Sequence, residues 1–422
     1  MRRVAVIGAG ASGMMAAIAA SENARVSLFE KNEYPGRKLL QTGNGKCNFL
    51  NDAPSEERFR GSIREKGILS PLITFYDKEY ILKLFSSFGL LYHKKNGGYY
   101  PRSDSAGSVN DVLIAELKAR KVDLHVSTLV KNIDRSDGGF FLTLNHLKTN
   151  KRSRYEVKYD AVIITTGGKS APKTGSTGDG YYFAEQFGLK VAPPYPALTR
   201  MISGDIFFND NTVRTYAAVK LFIDGEYSGS SSGELQSGDQ GPSGILIFDL
   251  SGRASRALSE GRKCHIMVDL LPELDEDSIY SLLKKRWESM GEGDEKTELF
   301  LGIFSERLAL KLDEKLGREL FGARNLPDVL SDKDLRDIAS MIKNMRFPVT
   351  GTGDFNVSQV TSGGVHADSL NPDLSAKGIE GLYFAGECLD ADGDCGGFNL
   401  HFAFASGLAA GYAAGDPDRV SN

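Results

Sequence analysis

The chain opens on an apolar, β-branched run, Arg-Val-Ala-Val-Ile at residues 3 to 7, closed by a glycine. Such a run predicts a strand buried on both faces, as in a parallel sheet. Gly8-Ala9-Gly10-Ala11-Ser12-Gly13 follows, then good helix formers from Met14 to Ala20, then a second strand, Arg25 to Phe29, ending at Glu30. Together these predict a βαβ opening. Leu124 to Ile133 and Phe140 to Asn145 read as strands around the turn Ser136-Asp137-Gly138-Gly139. Asp160 to Ile164 is a buried strand emptying into Gly167 and Gly168.

Pro193-Pro194-Tyr195-Pro196 breaks this pattern and marks the entry to an insert. Inside it, Val213 to Ile223, Gly244 to Asp249 and His265 to Asp269 read as strands, separated by a Ser/Gly-rich loop from Ser228 to Ser243. A small β-barrel or sandwich is predicted there. Beyond Pro272 the period turns helical: Leu308, Leu312 and Leu316 share one face, and Leu335, Ile338, Ile342 and Met345 another. Ser331 and Asp334 have the spacing of a capping box. From Phe347 the first pattern returns, with a strand ending at Gly386-Glu387 and a helix of small and apolar residues running to about Ala414.

Composition sharpens the opening. Glycine contributes 47 of 422 residues, well above the usual share of about 7%, without a collagen-like period. In the fingerprint, Gly8 makes the tight turn, Gly10 lets backbone approach a pyrophosphate, and Gly13 lets helix and strand pack closely. Ala11 and Ser12 begin the helix whose free N–H groups and dipole receive phosphate charge. Glu30 lies 20 residues past Gly10, where a carboxylate accepts the hydroxyls of an adenosine ribose. An acid there favours a free 2′-hydroxyl, while Lys31 beside it weakens that preference. The fingerprint leaves FAD and NAD both open.

The loop Pro35-Gly36-Arg37-Lys38-Leu39-Leu40-Gln41-Thr42-Gly43-Asn44-Gly45-Lys46-Cys47-Asn48 combines glycines, cations and small polar groups. It can wrap an anionic cofactor with backbone and charge together. This loop resembles that of the BaiN-like, or aminoacetone oxidase-like, family of FAD-dependent oxidoreductases. The likeness continues through Tyr100-Pro101-Arg102-Ser103-Asp104-Ser105-Ala106 and the heptad Thr174-Gly175-Ser176-Thr177-Gly178-Asp179-Gly180. It implies an α/β fold: a Rossmann-like FAD-binding domain of the two-dinucleotide-binding-domain flavoprotein type, over residues 1–192 and 347–422. A β-barrel-like subdomain at 193–272 and a helical subdomain at 273–346 interrupt it.

The resemblance also implies site residues. Backbone near Val130 lies against the adenine, Thr166, Gly167 and Gly168 form a second nucleotide-facing turn, and Gly386 and Glu387 end another site strand. Asp394, Gly397, Phe398, Asn399 and Leu400 lie where the flavin ring sits, at a helix start whose positive end stabilises a reduced flavin. The β-rich insert forms part of the substrate site in this family. Here Gly233-Glu234-Leu235 and Gly241-Pro242 keep the family frame without the usual Phe-Thr-His between them, so substrate identity does not carry over.

Other chemistry is narrowed by charge and cysteine. Lys plus Arg is 51 and Asp plus Glu 55, a net charge of −4, with no basic field for nucleic acid or acidic lipid. The basic stretch Lys148 to Arg154 reads as a solvated hairpin tip. Four cysteines without a CxxC make neither a disulfide framework nor a thiolate metal site, and suit a cytoplasmic protein. The start resembles a signal peptide only superficially, since its apolar run carries three fingerprint glycines. Asp390-x-Asp392-x-Asp394 has a calcium-loop beginning, but Cys395 and His401 stand where glycine and glutamate belong, so no metal is expected. Cys47, Cys388 and Cys395 read as packed thiols. His401 is the catalytic candidate, a titrating group beside the flavin-facing loop, against a reading as a helix histidine bonded to backbone.

The expected function is two-electron transfer between a small organic substrate and FAD, with NAD(P)H as a transient donor. An amine oxidase using oxygen, a nucleic-acid-modifying flavoprotein and a non-catalytic flavin sensor are the competing readings.

Overall fold

A computed structural model describes residues 1–136, 138–149, 151–208, 213–238, 240–291 and 293–418, with backbone alone for 151–156. Asp137 of the predicted turn, Asp239 of the departing segment and most of the Lys148 to Arg154 tip fall outside the described side chains. The chain divides into two compact units, Met1–Tyr195 with Phe355–Asn422, and Pro196–Asp354.

The first unit is built on a five-stranded parallel sheet. Its order is Leu382–Phe384, Ala161–Ile164, Arg2–Ile7, Ala24–Phe29, Asp123–His125. Val4, Ala5, Val6 and Ile7 pair in register with Ala161 to Ile164 on one side and with Val26 to Phe29 on the other. Val4 to Ile7 and Ala161 to Ile164 are all small or β-branched apolar groups, because both sheet faces are covered. An antiparallel three-stranded sheet, Thr128–Ser136, Gly139–His146 and Lys151–Tyr159, follows as a meander.

The fingerprint helix, Ala11–Ala20, packs on the closing helix, Phe398–Gly415. Glycines set four apart make this contact backbone to backbone. A Cβ on Gly407 would stand 2.4 Å from the Ser12 carbonyl oxygen, one on Gly411 2.4 Å from that of Ala16, and one on Gly415 2.9 Å from that of Ala20.

The second unit holds a five-stranded antiparallel sheet ordered Gly241–Ser243, Glu226–Gly238, Arg214–Ile223, Cys264–Asp269, Met345–Val349. One core runs from this sheet through the helices Glu276–Ser289, Glu306–Phe321 and Asp332–Lys343. Ser331 and Asp334 form the expected capping box.

Four expectations differ from what the fold shows. Gly244 to Asp249 is no strand: residues Ile245–Ser259 form a helix that buries Leu246, Ile247, Leu250, Ala254 and Ala257. A short apolar run does not by itself separate buried strand from helix, and the later spacing decides it. The Ser/Gly-rich segment is mostly strand, Glu226–Gly238, because pairing with Arg214–Ile223 outweighs its weak intrinsic preference. The return to the first unit comes at Phe355 and not Phe347, since Met345–Val349 pairs with Cys264–Asp269 as a sheet edge. Finally, the insert is one compact unit beginning at Pro196, with no division near residue 272. No helix among the described residues is long and apolar enough to cross a membrane.

Candidate active site

A cleft opens where the parallel strands of the first unit end, the place at which such sheets bind ligands. Its wall begins with Gly8, Gly10, Ala11 and Ser12. The turn is tight because Gly8 holds φ +102°, and the helix seats against it because Gly13 has no side chain: a Cβ there would lie 1.8 Å from the Gly8 carbonyl oxygen. Thr165 clamps the same turn, its hydroxyl donating to the carbonyls of Ile7 (2.9 Å) and Gly8 (2.8 Å). A Cβ built on Gly10 meets no protein atom within 4 Å, so the backbone there is open to a ligand.

Glu30, buried at the end of the second strand, also lines the cleft. One carboxylate oxygen accepts from the Ala9 N–H (2.8 Å), the other from the Asn32 N–H (2.8 Å) and side-chain amide (2.7 Å). It therefore fixes the fingerprint as well as facing the space beyond it. Lys31 donates to Thr177 and Asp179, each at 2.7 Å, and Arg37 to the Asn32 side-chain oxygen at 3.0 Å. Gly36, Thr42, Val130, Thr166 and Gly167 complete this end. The Thr166 hydroxyl is buried and has no hydrogen-bond partner among the described residues.

The other end is lined by Lys38, Glu387, Val360, Ala391 and the first turn of the closing helix, Asn399, Leu400, Phe402 and Ala403. Lys38 donates to both Glu387 oxygens (2.6 and 2.8 Å), and Glu387 also accepts from the Thr361 N–H (2.9 Å). Asn399 brackets the preceding loop, accepting from the Gly393 N–H and donating to its carbonyl, both at 2.8 Å. The positive end of an 18-residue helix is thus held at the cleft without a cationic side chain.

Several expected site residues stand behind this wall. Gly43, Asn44 and Gly45 form a left-handed loop, and Asn48 packs against Gly98. Cys47 and Cys388 are buried thiols pushed up to about 12 by desolvation, which makes them poor nucleophiles. Gly168 abuts Thr361, Gly386 abuts Ser12, and Gly397 caps the closing helix against the Leu50 backbone. Phe398 meets Phe59 edge to face. Asp394 accepts from Arg58 and Arg60, and Asp390 from the Ser62 N–H, so this acidic loop spends its oxygens on the protein.

The catalytic assignment of His401 is corrected. The ring is fully buried, lies outside the cleft lining, and bonds through Nε2 to the Tyr76 carbonyl at 2.6 Å. Burial lowers its pKa and keeps it neutral. His401→Gln is expected to leave the pH profile of flavin reduction unchanged while lowering stability by about 1 kcal/mol, the worth of one such bond. A changed profile would restore the catalytic role.

Asp392 carries a different prediction. Complete burial raises its carboxyl to about 6, against 3.8 for an ordinary aspartate, with one oxygen unpartnered. The folded chain therefore holds this proton over a range where the unfolded chain has released it, and stability falls as pH climbs from about 4 to 6. Asp392→Asn removes the penalty. It is expected to stabilise the protein by roughly 3 kcal/mol above pH 6 and by nothing below pH 4, read from melts across that range.

Sequence reading missed Thr128, Leu129, Thr165, Asp179, Gln359, Val360, Ala391, Phe402 and Ala403 as cleft residues. Helical spacing from Asn399 points to Phe402 and Ala403, three and four positions on. Thr128 and Leu129 adjoin Val130, Thr165 adjoins Thr166 and Asp179 stands in the heptad 174–180, whereas nothing local marks Gln359, Val360 and Ala391.

The fold also occurs in a solved 3-ketosteroid Δ1-dehydrogenase from Sterolibacterium denitrificans, with a TM-score of 0.51 at 13% identity, over 99% of this chain and 100% of that one. Fold and cleft together define a Rossmann-type dinucleotide-binding protein. The residues present fit FAD: an open glycine backbone at a helix start, a buried carboxylate on the cleft wall, a threonine hydroxyl without a partner among the described residues and a second helix start at the far end.

The chain belongs to the HI0933-like family, whose Rossmann-domain model matches residues 2–413. A 3-dehydro-bile acid Δ4,6-reductase from Clostridium scindens is 33% identical over 99% of this chain and 100% of its own. A ribosomal RNA dihydrouridine synthase from Escherichia coli is 29% identical over 96% of both.

Proposed function

We propose that this enzyme is an FAD-dependent reductase that saturates a carbon–carbon double bond conjugated to a carbonyl, with NAD(P)H as the electron donor. The observation that carries the reading is chemical. The names of both full-length relatives describe that one conversion, on a ring enone in one case and on the uracil ring in the other. Bound FAD supplies the two-electron hydride chemistry.

The chain's own residues bind, orient and tune. The fingerprint and Glu30 hold the adenosine end, while Thr166 offers the free hydroxyl described above. Lys38 and Glu387 form a fixed, mutually neutralised ion pair at the other end, and the positive charge there comes from the closing helix's dipole. Leu400, Phe402 and Val360 give that end an apolar wall that excludes water from a conjugated ring. In the net reaction NAD(P)H and one proton are consumed, and the two carbons of the double bond each gain one hydrogen.

Anaerobic titration of the holoenzyme tests this. Bleaching of the flavin band by NADPH or NADH, followed by its return on adding a 3-oxo-4,6-diene steroid or a uridine-containing RNA, is the expected result. Failure of both nicotinamides, with bleaching by a primary amine and reoxidation by oxygen, would instead establish an amine oxidase.

A further inference from the structure

The sheet of the second unit is covered on one face only. Along Arg214–Ile223 the odd residues from Ala217 to Ile223 are buried, while Tyr216 and Lys220 on the other face are exposed. The register arranges the open face in rows. Lys220 pairs with Met267, and Met267 with Arg346, so two cations flank a thioether across three strands. The next row begins with Tyr227 beside Phe222 and continues to His265. Phe222 stacks on His265 at 5.0 Å with an interplanar angle of 6°, and meets Tyr227 edge to face at 6.1 Å. Residues two apart on a strand put the rows about 7 Å from each other.

The charge on this face is one-sided. Its carboxylates are neutralised, Glu234 by Arg214 and Asp269 by Lys343. Lys220 and Arg346 have no ion-pair partner among the described residues. Two unpaired cations beside a row of half-exposed rings is the pairing that holds phosphates and stacked bases at once.

We propose that this open face docks single-stranded RNA, with Lys220 and Arg346 on phosphates and the exposed Tyr227, backed by the mutually stacked Phe222 and His265, as the ring on which a base stacks. The inference rests on the reductase reading only in its choice of RNA, one of the two acceptors that reading allows. Docking is nonetheless measured without turnover, so the two stand or fall separately.

The test uses full-length, FAD-loaded protein and a fluorescein-labelled 12-nucleotide oligouridylate, read by anisotropy between 50 and 200 mM salt. Each phosphate contact on a single strand contributes about −0.7 to the slope of log K against log salt. Lys220→Gln/Arg346→Gln is expected to flatten that slope by about 1.4, which removes roughly sevenfold of the affinity lost over the salt range. Tyr227→Ala is expected to weaken binding at least fivefold, about the worth of one stacked base. A charge-matched control, Lys118→Gln/Lys333→Gln, is expected to bind like the parent. Parent protein that does not bind RNA overturns the proposal, as does equal weakening in the control, or a slope unchanged in a double variant that melts normally. If the double variant alters only self-association in sedimentation, the face is a protein interface and the proposal also fails. Bleaching of the flavin band by NADPH or NADH is unaffected in each of these outcomes if the reductase reading holds.

Discussion

Gly13→Val is expected to give protein without a flavin band. The valine Cβ would have to occupy a point 1.8 Å from the Gly8 carbonyl oxygen and 2.5 Å from the Thr165 hydroxyl, and the Gly8 oxygen is backbone that has no rotamer to yield. Either the helix lifts from the first strand or the turn opens, and both displace the N–H groups that receive the pyrophosphate. The loss in stability should exceed about 4 kcal/mol, in the range reserved for steric conflict in a core. Visible absorbance after reconstitution with FAD, together with a thermal melt, reads both effects. A variant that retains yellow colour and its melting temperature would show that the two elements can separate without cost.

Glu30→Leu is expected to cost about 4 kcal/mol and to abolish FAD retention even where the chain still folds. The leucine leaves the Ala9 N–H and the Asn32 N–H without acceptors in a buried setting, at about 1 to 3 kcal/mol each. Glu30→Gln, with one carbonyl oxygen left, should lie between the two. The order parent, Gln, Leu in both melting temperature and flavin content is the informative result. Equal losses for Gln and Leu would mean that the negative charge matters and the hydrogen bonds do not.

The dinucleotide half of the site was legible because its chemistry is written in consecutive residues: Gly8 to Gly13 and Glu30 act through spacing along the chain. The flavin-facing half is assembled from residues far apart. Lys38 meets Glu387 across 349 positions, and Val360 reaches the cleft from the start of the strand Val360–Val365, with no local signature. His401 misled for the opposite reason: closeness in sequence to the site loop says nothing of which helix face a ring takes, and this one faces Tyr76. In the insert, Glu226–Gly238 is held as a strand by its partner, which no composition reveals. Net charge hid a further feature, since −4 over the whole chain is compatible with a face where two cations stand unpaired.

The glycine contact between the fingerprint helix and the closing helix has a consequence for biosynthesis. Residues 8 to 13 leave the ribosome long before Gly407, Gly411 and Gly415, so their helix lacks its most extensive packing surface until those have been made, and the first strand's sheet gains its far edge only with Leu382–Phe384. At ordinary elongation rates that delay is on the order of tens of seconds. During it the cleft is also incomplete, because its far wall is built from residues as late as Ala403, so cofactor loading waits for their emergence.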